Sequence, residues 1–417
     1  MIAVYIYKPK NILYLFFKIR KMNLICIITN KNQTMKKNNL SIILGLATCL
    51  CLFIQFELFA QGCVAVRPMS CSGVGNSNGS PLLNKGQFQV STTYRYFKSY
   101  KHFKGDSEQK ERVELGTEVI NSAHSIDLGL TYAISDRLNI SMNAPLIYYY
   151  RSSLYEHYGN SIKANPEQKR FGTQAKGLGD IRISTSYWLL KQGKDSSGNI
   201  SVGLGIKLPT GNSNVQDDFH RLTIKGEDSL IQKAVDQSIQ LGDGGVGYTI
   251  ETQGYRNVGS KSSFYFNGFY MFNPQNYNKT LNRGTLVGVD PLIAYHSIAD
   301  QYMIRFGLNF KPLSKQNLFL NLGARYEGIP AKDLIGKSEG WRRPGYIVSV
   351  EPGITYLKGK ATFVLNVPIA LYRNRVKNTY DLADPAGLRH GDAAFADYLI
   401  NFTFLYRFGK LNHHKME

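Results

Sequence analysis

Tryptophan is almost absent, with two residues in 417, and cysteine numbers only five. Cys26, Cys49 and Cys51 fall in or before an apolar N-terminal run, which leaves Cys63 and Cys71 for a mature exported chain. Two thiols are too few for a disulfide-stapled scaffold and too few for a structural zinc site. In "CVAVRPMSC" they are spaced to close one small loop in an oxidising compartment, and a disulfide between Cys63 and Cys71 is expected. Long apolar runs are missing as well: after Gly62 none approaches the roughly 20 residues of a spanning helix. Together with a mean hydropathy of -0.25, this excludes a bundle of membrane helices. It does not exclude a membrane barrel, whose strands are only half apolar.

Acidic residues are in deficit, with 30 Asp and Glu against 50 Lys and Arg. A nucleic-acid binder would gather that excess in one element, whereas here it is scattered through loops and alternate strand positions. No nucleic-acid partner is expected. His413 and His414 form a tail pair with too few ligands for a site, so no metal or other cofactor is expected.

The segment "MKKNNLSIILGLATCLCLFIQFELFAQG" has the order of a secretory signal: Lys36 and Lys37, an apolar centre from Leu40 to Ile54, and a small-residue exit near Ala60. Residues 35–60 are therefore expected to be a cleaved signal peptide, and residues 1–34, which show no periodicity, an over-long start ahead of Met35. "FAQGC" matches a lipoprotein cleavage box poorly. Residues 61–85 are expected to form a periplasmic N-terminal segment, 86–408 the folded body and 409–417 a tail.

From Gly86 the chain divides into about twelve alternating segments, from Gly86–Tyr100 to Ala396–Phe408. Ile200, Val202, Leu204, Ile206 and Leu208 oppose Ser201, Gly203, Gly205 and Lys207. In "YLINFTFLYRF" the set Tyr398, Ile400, Phe402, Phe404, Tyr406 and Phe408 shares one face. The links alternate strictly between long ("KHFKGDSEQKERVELGTE") and short ("SD"). Outer-membrane barrels carry long extracellular loops and short periplasmic turns, and a soluble sandwich has no reason to alternate in this way. The expected fold is all-β: a closed antiparallel transmembrane barrel of about twelve strands in the outer membrane. Tyr148 and Tyr150 would belong to its outer aromatic girdle, with Tyr406 and Phe408 at the periplasmic end.

The polar parity places Arg95, Arg182, Lys207, Arg305, Lys311, Arg325 and Arg407 on the lumen side against Asp127, Glu251, Glu327, Glu351 and Asp397. Such charges either form a network of ion pairs that fills the barrel or line a water path and set its selectivity. A slight basic excess favours anions if the path is open. In the link Pro209–Gly244, Leu230, Ile231, Ala234, Val235, Ile239 and Leu241 fall at helical spacing after Asp228, a candidate N-cap. A short extracellular helix is expected there, capping strand ends or folding inward as a plug.

"GLGDIRISTSYWLL" (Gly177–Leu190) and "GLGIKLPTGNSN" (Gly203–Asn214), with "QLGDGGVGYTIETQGYRN" and "SVEPGITY", resemble the outer-membrane transporter family named for the meta-pathway of phenol degradation. The resemblance extends over about Gly86 to Phe408 and implies a barrel and small-molecule passage, with no catalytic residue to transfer. A last strand ending in Tyr406 and Phe408 also resembles the signal read by the barrel-assembly machinery. Its departure is that "GKLNHHKME" follows. The Gly-rich pieces lack the Lys-Ser/Thr and following helix of a phosphate loop and read as tight turns.

The expected function is a channel or transporter for small molecules, with outer-membrane lipids, lipopolysaccharide and the assembly machinery as partners. A structural or adhesive barrel, and a lipid hydrolase built on His124 near Ser122 and Ser125, are the alternatives. No spaced nucleophile–base pair supports an enzyme.

Overall fold

The structure, a computed structural model, describes residues 82–191, 197–312 and 317–409, with the backbone of three strands nearer the N-terminus. The expected signal peptide, Cys63, Cys71 and the tail beyond Gly409 lie outside the described residues. Two units are distinguished, Met1–Leu58 and Phe59–Glu417. In the first, β1 (Ala3–Tyr7), β2 (Ile12–Ile19) and β3 (Met22–Thr29) pair antiparallel in sequence order. Their residues are rich in Ile, Leu, Tyr and Phe, which suit a β ladder even without alternation.

In the second unit the segments run in chain order as β4 (Phe88–Lys104), β5 (Ser107–Glu108), β6 (Ile120–Ala133), β7 (Leu138–Ser153), β8 (Phe171–Leu178), β9 (Arg182–Trp188) and β10 (Gly198–Lys207). Next come β11 (Gln216–Leu222), β12 (Asp228–Ala234), β13 (Gly247–Val258), β14 (Ser262–Phe272), β15 (Tyr277–Leu281) and β16 (Tyr295–Ser297). The series ends with β17 (Gln301–Phe310), β18 (Leu318–Ile329), β19 (Gly345–Lys358), β20 (Ala361–Asn366), β21 (Ile369–Asn374) and β22 (Ala393–Phe408).

These make one closed antiparallel barrel of twelve staves. Two staves are broken in two. β8 pairs with the outer half of β7 and β9 with its other half. β20 and β21 are separated at Val367–Pro368, where proline lacks a ladder donor. The last stave returns to the first, with Phe408 opposite Phe88 and Ala393 opposite Phe103, so the wall has no free edge. In lipid that closure is obligatory, because an unpaired backbone group there finds no water. β11–β12 and β15–β16 are separate two-stranded pairs outside the wall.

Link lengths follow the sequence pattern. β13 turns into β14 through Gly259 at φ 70°, and β19 into β20 through Gly359 at φ 60°, left-handed conformations suited to glycine. Segments 105–119, 154–170, 208–246, 273–300, 330–344 and 375–392 all leave from the opposite rim.

The two faces of the wall differ in kind. Leu204 is 66% exposed, Leu322 60% and Phe306 49%, amid a continuous outer belt of Leu, Ile, Val and Phe. An apolar area this extensive marks a membrane surface. The inner parity is polar and buried, including Ser91, Asn121, Ser201, Asn267, Asn321 and Arg325.

Candidate functional site in the outer lumen

The fourth stave breaks at "GLGD". Gly177 has φ 149°, and the chain turns there so that Asp180 reaches the loop after β10. The Asp180 carboxylate accepts the backbone N–H of Gly211 at 3.0 Å and of Asp243 at 3.2 Å. Thr210 Oγ1 donates to the Gly179 carbonyl at 2.9 Å and accepts the N–H of Ile181 at 2.9 Å. Lys207 closes the group by pairing with Asp243, with Asp180 at 3.9 Å. The sequence motifs "GLGD", "KLPTG" and "GDGG" are thus parts of one knot. In the sequence alone, "GLGD" and "GDGG" read as separate tight turns.

The knot holds both ends of the long segment 208–246. The expected helix is not present. Residues Gln216–Leu222 and Asp228–Ala234 pair as a hairpin, with Phe219 opposite Ile231, and Gly226 at φ 79° makes the turn. Leu230 and Ile231 therefore alternate across a strand and stay exposed. Beyond the hairpin the chain descends. Asp236 caps a single 3-10 turn, Gln237–Ile239, by accepting the N–H of Ser238. Val235, Ile239 and Leu241 are buried against the wall side chains Phe97, Ile147, Tyr149 and Leu399. Of the apolar residues at helical spacing, Val235, Ile239 and Leu241 mark the part that enters the barrel, while Leu230, Ile231 and Ala234 belong to the hairpin.

Asp236 is the anchor of this inward segment. Arg343, from the loop between β18 and β19, gives it two hydrogen bonds, at 2.8 and 2.6 Å. Arg151 on β7 lies 3.4 Å away on the other side and also binds Glu156 at 2.8 Å. Burial opposes ionisation of Asp236, yet the two guanidinium groups hold its carboxyl well below the usual carboxylate range. Gln237 adds a hydrogen bond to the Ser297 carbonyl at 2.8 Å.

Beside the anchored turn lies a pocket of about 130 Å³. Tyr149, Leu241, Ile329, Gln301, Asn278 and His296 contribute to its lining, along with Lys207, Asp180, Asp243, Arg182 and Arg343. His296 is 1% exposed, and neither ring nitrogen has a hydrogen-bond partner among the described residues. Burial lowers its imidazole to about 4, so the ring is neutral at pH 7.

Deeper in the lumen the charges stand in pairs. Arg305 binds Glu351 at 2.7 Å and Arg325 binds Glu327 at 2.6 Å. Arg407 donates to Gln89 at 3.1 Å, and Lys311 lies over the Phe319 ring. Glu251 accepts from Thr249 at 3.3 Å and lies within the field of Arg182. Arg95 is buried and Asp127 half-buried. Asp397 sits nearer the outer rim, 3.0 Å from Lys101 and 2.6 Å from Arg373.

At the other end, Tyr406 pairs with Val90 and Phe408 with Phe88, and the rings of Tyr406 and Phe408 meet edge-on at 4.7 Å. On the outer face, Tyr148 and Tyr150 are exposed. His124 there bonds the Tyr94 hydroxyl at 2.8 Å and packs among Tyr94, Tyr96 and Tyr148. These described partners of His124 include no serine. Sequence reading named Arg182 and Lys207 but missed Asp236, Arg151, Arg343 and His296: Asp236 and Arg343 meet across 107 residues of chain, Arg151 pairs with both Glu156 and Asp236, and no motif surrounds His296. The only local sign was Asp236 two residues before Ser238, a capping spacing.

No family model matches this sequence, and no curated protein matches it. Among solved structures, the COG4313 outer membrane channel from Pseudomonas putida F1 is similar in fold. Its TM-score is 0.50 at 11% identity, over 82% of this chain and 100% of that one. The translocator domain of the autotransporter NalP from Neisseria meningitidis (TM-score 0.42, 11% identity, 78% and 90% covered) also aligns. So does the P. putida toluene transporter TodX (0.36, 9%, 79% and 92%). The fold is that of an outer-membrane β-barrel.

Proposed function

We propose that this chain is an outer-membrane channel that passes small molecules through its lumen, gated by the inward segment Val235–Leu241. One observation carries the reading: a wall apolar outside and polar inside is stoppered near one rim by a loop that is seated on apolar wall side chains and anchored through the ion pairs of Asp236. Filled lumens that serve only stability need no such separately anchored loop. The motifs of Gly177–Leu190 and Gly203–Asn214 support a place in the transporter family named for the meta-pathway of phenol degradation. Their convergence on one knot gives them a shared purpose, which is to hold the root of the gate. The chemistry is binding and diffusion, and no step requires catalysis.

Residues Arg95, Asp127, Arg182, Lys207, Glu251, Arg305, Lys311, Arg325, Glu327, Glu351, Asp397 and Arg407 would line the path. Because most are paired, they would set a modest selectivity by their geometry rather than a strong field. Outer-membrane lipid and lipopolysaccharide would contact the belt and the Tyr148–Tyr150 girdle. Tyr406 and Phe408, at the closing seam, would be read by the assembly machinery. Purified protein in planar bilayers should show rare, small conductance steps, and liposomes carrying it should take up small solutes. Silence in both would select the second reading, a structural barrel, which the extensive buried pairing favours.

A further inference from the structure

The lipid-facing parity of the wall is not uniform around the outer rim. About 9–11 residues carry a tilted strand across the hydrocarbon, so a stave that starts at Phe88 reaches the outer polar boundary near Lys98. At that level two lysines and a histidine face outward on neighbouring staves. One row runs Lys98, Ser122, Tyr150 and Gln174 across β4, β6, β7 and β8, and the next runs Tyr96, His124, Tyr148 and Lys176. The row beneath is Tyr94, Ile126, Leu146 and Leu178, all exposed, where the apolar belt begins.

Both lysines are exposed. Lys98 lies over the Tyr100 ring at 5.6 Å, and neither it nor Lys176 has an acidic partner among the described residues. This separates them from Arg305 and Arg325 of the lumen, each paired with a glutamate. Farther round the rim, the outward ends of β14, β17, β18, β19 and β21 carry Tyr270, Tyr302, Tyr326, Tyr346 and Tyr372. Their successive ring centroids are 6.2, 5.3, 5.5 and 5.6 Å apart. Two of these hydroxyls donate to loop acids, Tyr270 to Asp300 at 2.8 Å and Tyr372 to Asp106 at 3.2 Å. One arc is thus basic and the other uncharged and backed by carboxylates, so an anion has a preferred side.

The spacing narrows the choice of anion. Lys98 and Lys176 stand three strand spacings apart, roughly 14 Å, on flexible stems that lie along apolar surface while the ammonium groups reach polar surroundings. One phosphate does not bridge them, whereas a disaccharide with a phosphate at each end does. Its acyl chains would lie on Ile126, Leu146 and Leu178, and its sugar hydroxyls would meet the exposed phenols of Tyr148 and Tyr150.

We infer that the outer half of β4, β6, β7 and β8 is a docking surface for the bisphosphorylated, multiply acylated disaccharide of lipopolysaccharide, with Lys98 facing one phosphate and Lys176 the other. The inference gives the lipopolysaccharide contact proposed above its place on the wall. It rests on the outer-membrane setting and not on passage through the lumen.

The test titrates the purified full-length barrel in detergent with three probes: bisphosphorylated lipid A, lipid A lacking one phosphate, and dipalmitoyl phosphatidylglycerol. Native mass spectrometry counts the bound lipid. The bisphosphorylated form should saturate at one molecule per barrel and bind more tightly than the other two. Lys98→Gln and Lys176→Gln should each weaken it about fivefold, the worth of one lysine near an anionic headgroup. Arg256→Gln combined with Lys358→Gln removes two exposed charges at the opposite rim and should leave it unchanged. Heat-modifiable migration on gels checks that every variant remains a closed barrel. The inference is overturned if lipid A does not saturate, if the three probes bind alike, if removing both lysines has no effect, or if the opposite-rim pair weakens binding equally. Lipid A binding without conductance or solute uptake would keep this surface and remove the channel reading, and conductance without lipid A binding would do the reverse.

Discussion

Arg343 and Asp236, 107 residues apart in the chain, meet through two hydrogen bonds of 2.8 and 2.6 Å inside the outer mouth of the barrel. Arg151 approaches the same carboxylate from the wall at 3.4 Å. One acid thus ties an inward loop to a second loop and to a stave. Removing that single charge leaves two guanidinium groups without their shared partner.

Asp236→Asn is therefore expected to release the stopper without opening the barrel. Breaking a buried ion pair from one side costs about 3–5 kcal/mol, borne here by the loop and not by the wall. Planar-bilayer recordings should show larger and longer openings than the native chain. Limited proteolysis should begin to cut within 209–244. Unchanged conductance and an uncut loop would mean that the apolar contacts of Val235 and Ile239 suffice on their own.

Acid should loosen the same region. His296 has its imidazole held at about 4 by burial, against an ordinary value of 6.5, with Asp236 and Arg343 acting in opposite senses beside it. A group with a depressed histidine pKa is neutral in the folded state while the unfolded segment takes up a proton. Stability is then complete above about pH 6.5 and lost as the pH falls toward 4, by up to about 3 kcal/mol. Asp236 adds its own loss only below the ordinary carboxylate range. Open probability measured from pH 7.5 to 4 should rise, and His296→Gln should flatten that rise.

The paired charges of the lumen offer a selectivity test. Glu351→Gln leaves Arg305 with a neutral neighbour in place of the acid at 2.7 Å. In an Asp236→Asn background, where current can be measured, the reversal potential in a salt gradient should move toward anion preference. A shift toward cations, or none, would place this pair off the conducting path.

The belt itself can be probed with one residue. Phe306 lies at mid-stave on the outer face, opposite Phe266 and Ala324, and is half exposed. Phe306→Arg should destabilise the barrel in vesicles by about 2–4 kcal/mol in urea unfolding. Gln253→Lys, on the inner parity of β13, should change it little. Equal effects would contradict the assignment of faces.

Much of this architecture is legible without coordinates. Period-two alternation in segments such as Ile200–Leu208, and the strict succession of long and short links, are local properties of the chain. A transmembrane wall makes them compulsory, since each stave must show hydrocarbon to lipid and turn at the nearer rim. Even the inward parity of Arg305 and Glu351 follows from counting by twos. The sequence by itself therefore determined the barrel, its stave count and its two faces.

Only the tertiary structure decided what fills the tube. The stretch from Asp228 to Leu241 carries a helical spacing of apolar residues, yet half of it pairs as a hairpin strand and half enters the lumen as an irregular segment built on the single 3-10 turn Gln237–Ile239. Its shape is set by what it meets: Gly211 and Asp243 bound to Asp180, Asp236 gripped by Arg343 and Arg151, and Val235 closed over by Phe97 and Leu399. These partners come from staves and loops remote in sequence, and the free energy that selects the conformation resides in those contacts rather than in local propensity. Alternation repeats along every stave and can be read from one of them, whereas a stopper is a single meeting of distant groups that exists only once the wall has closed.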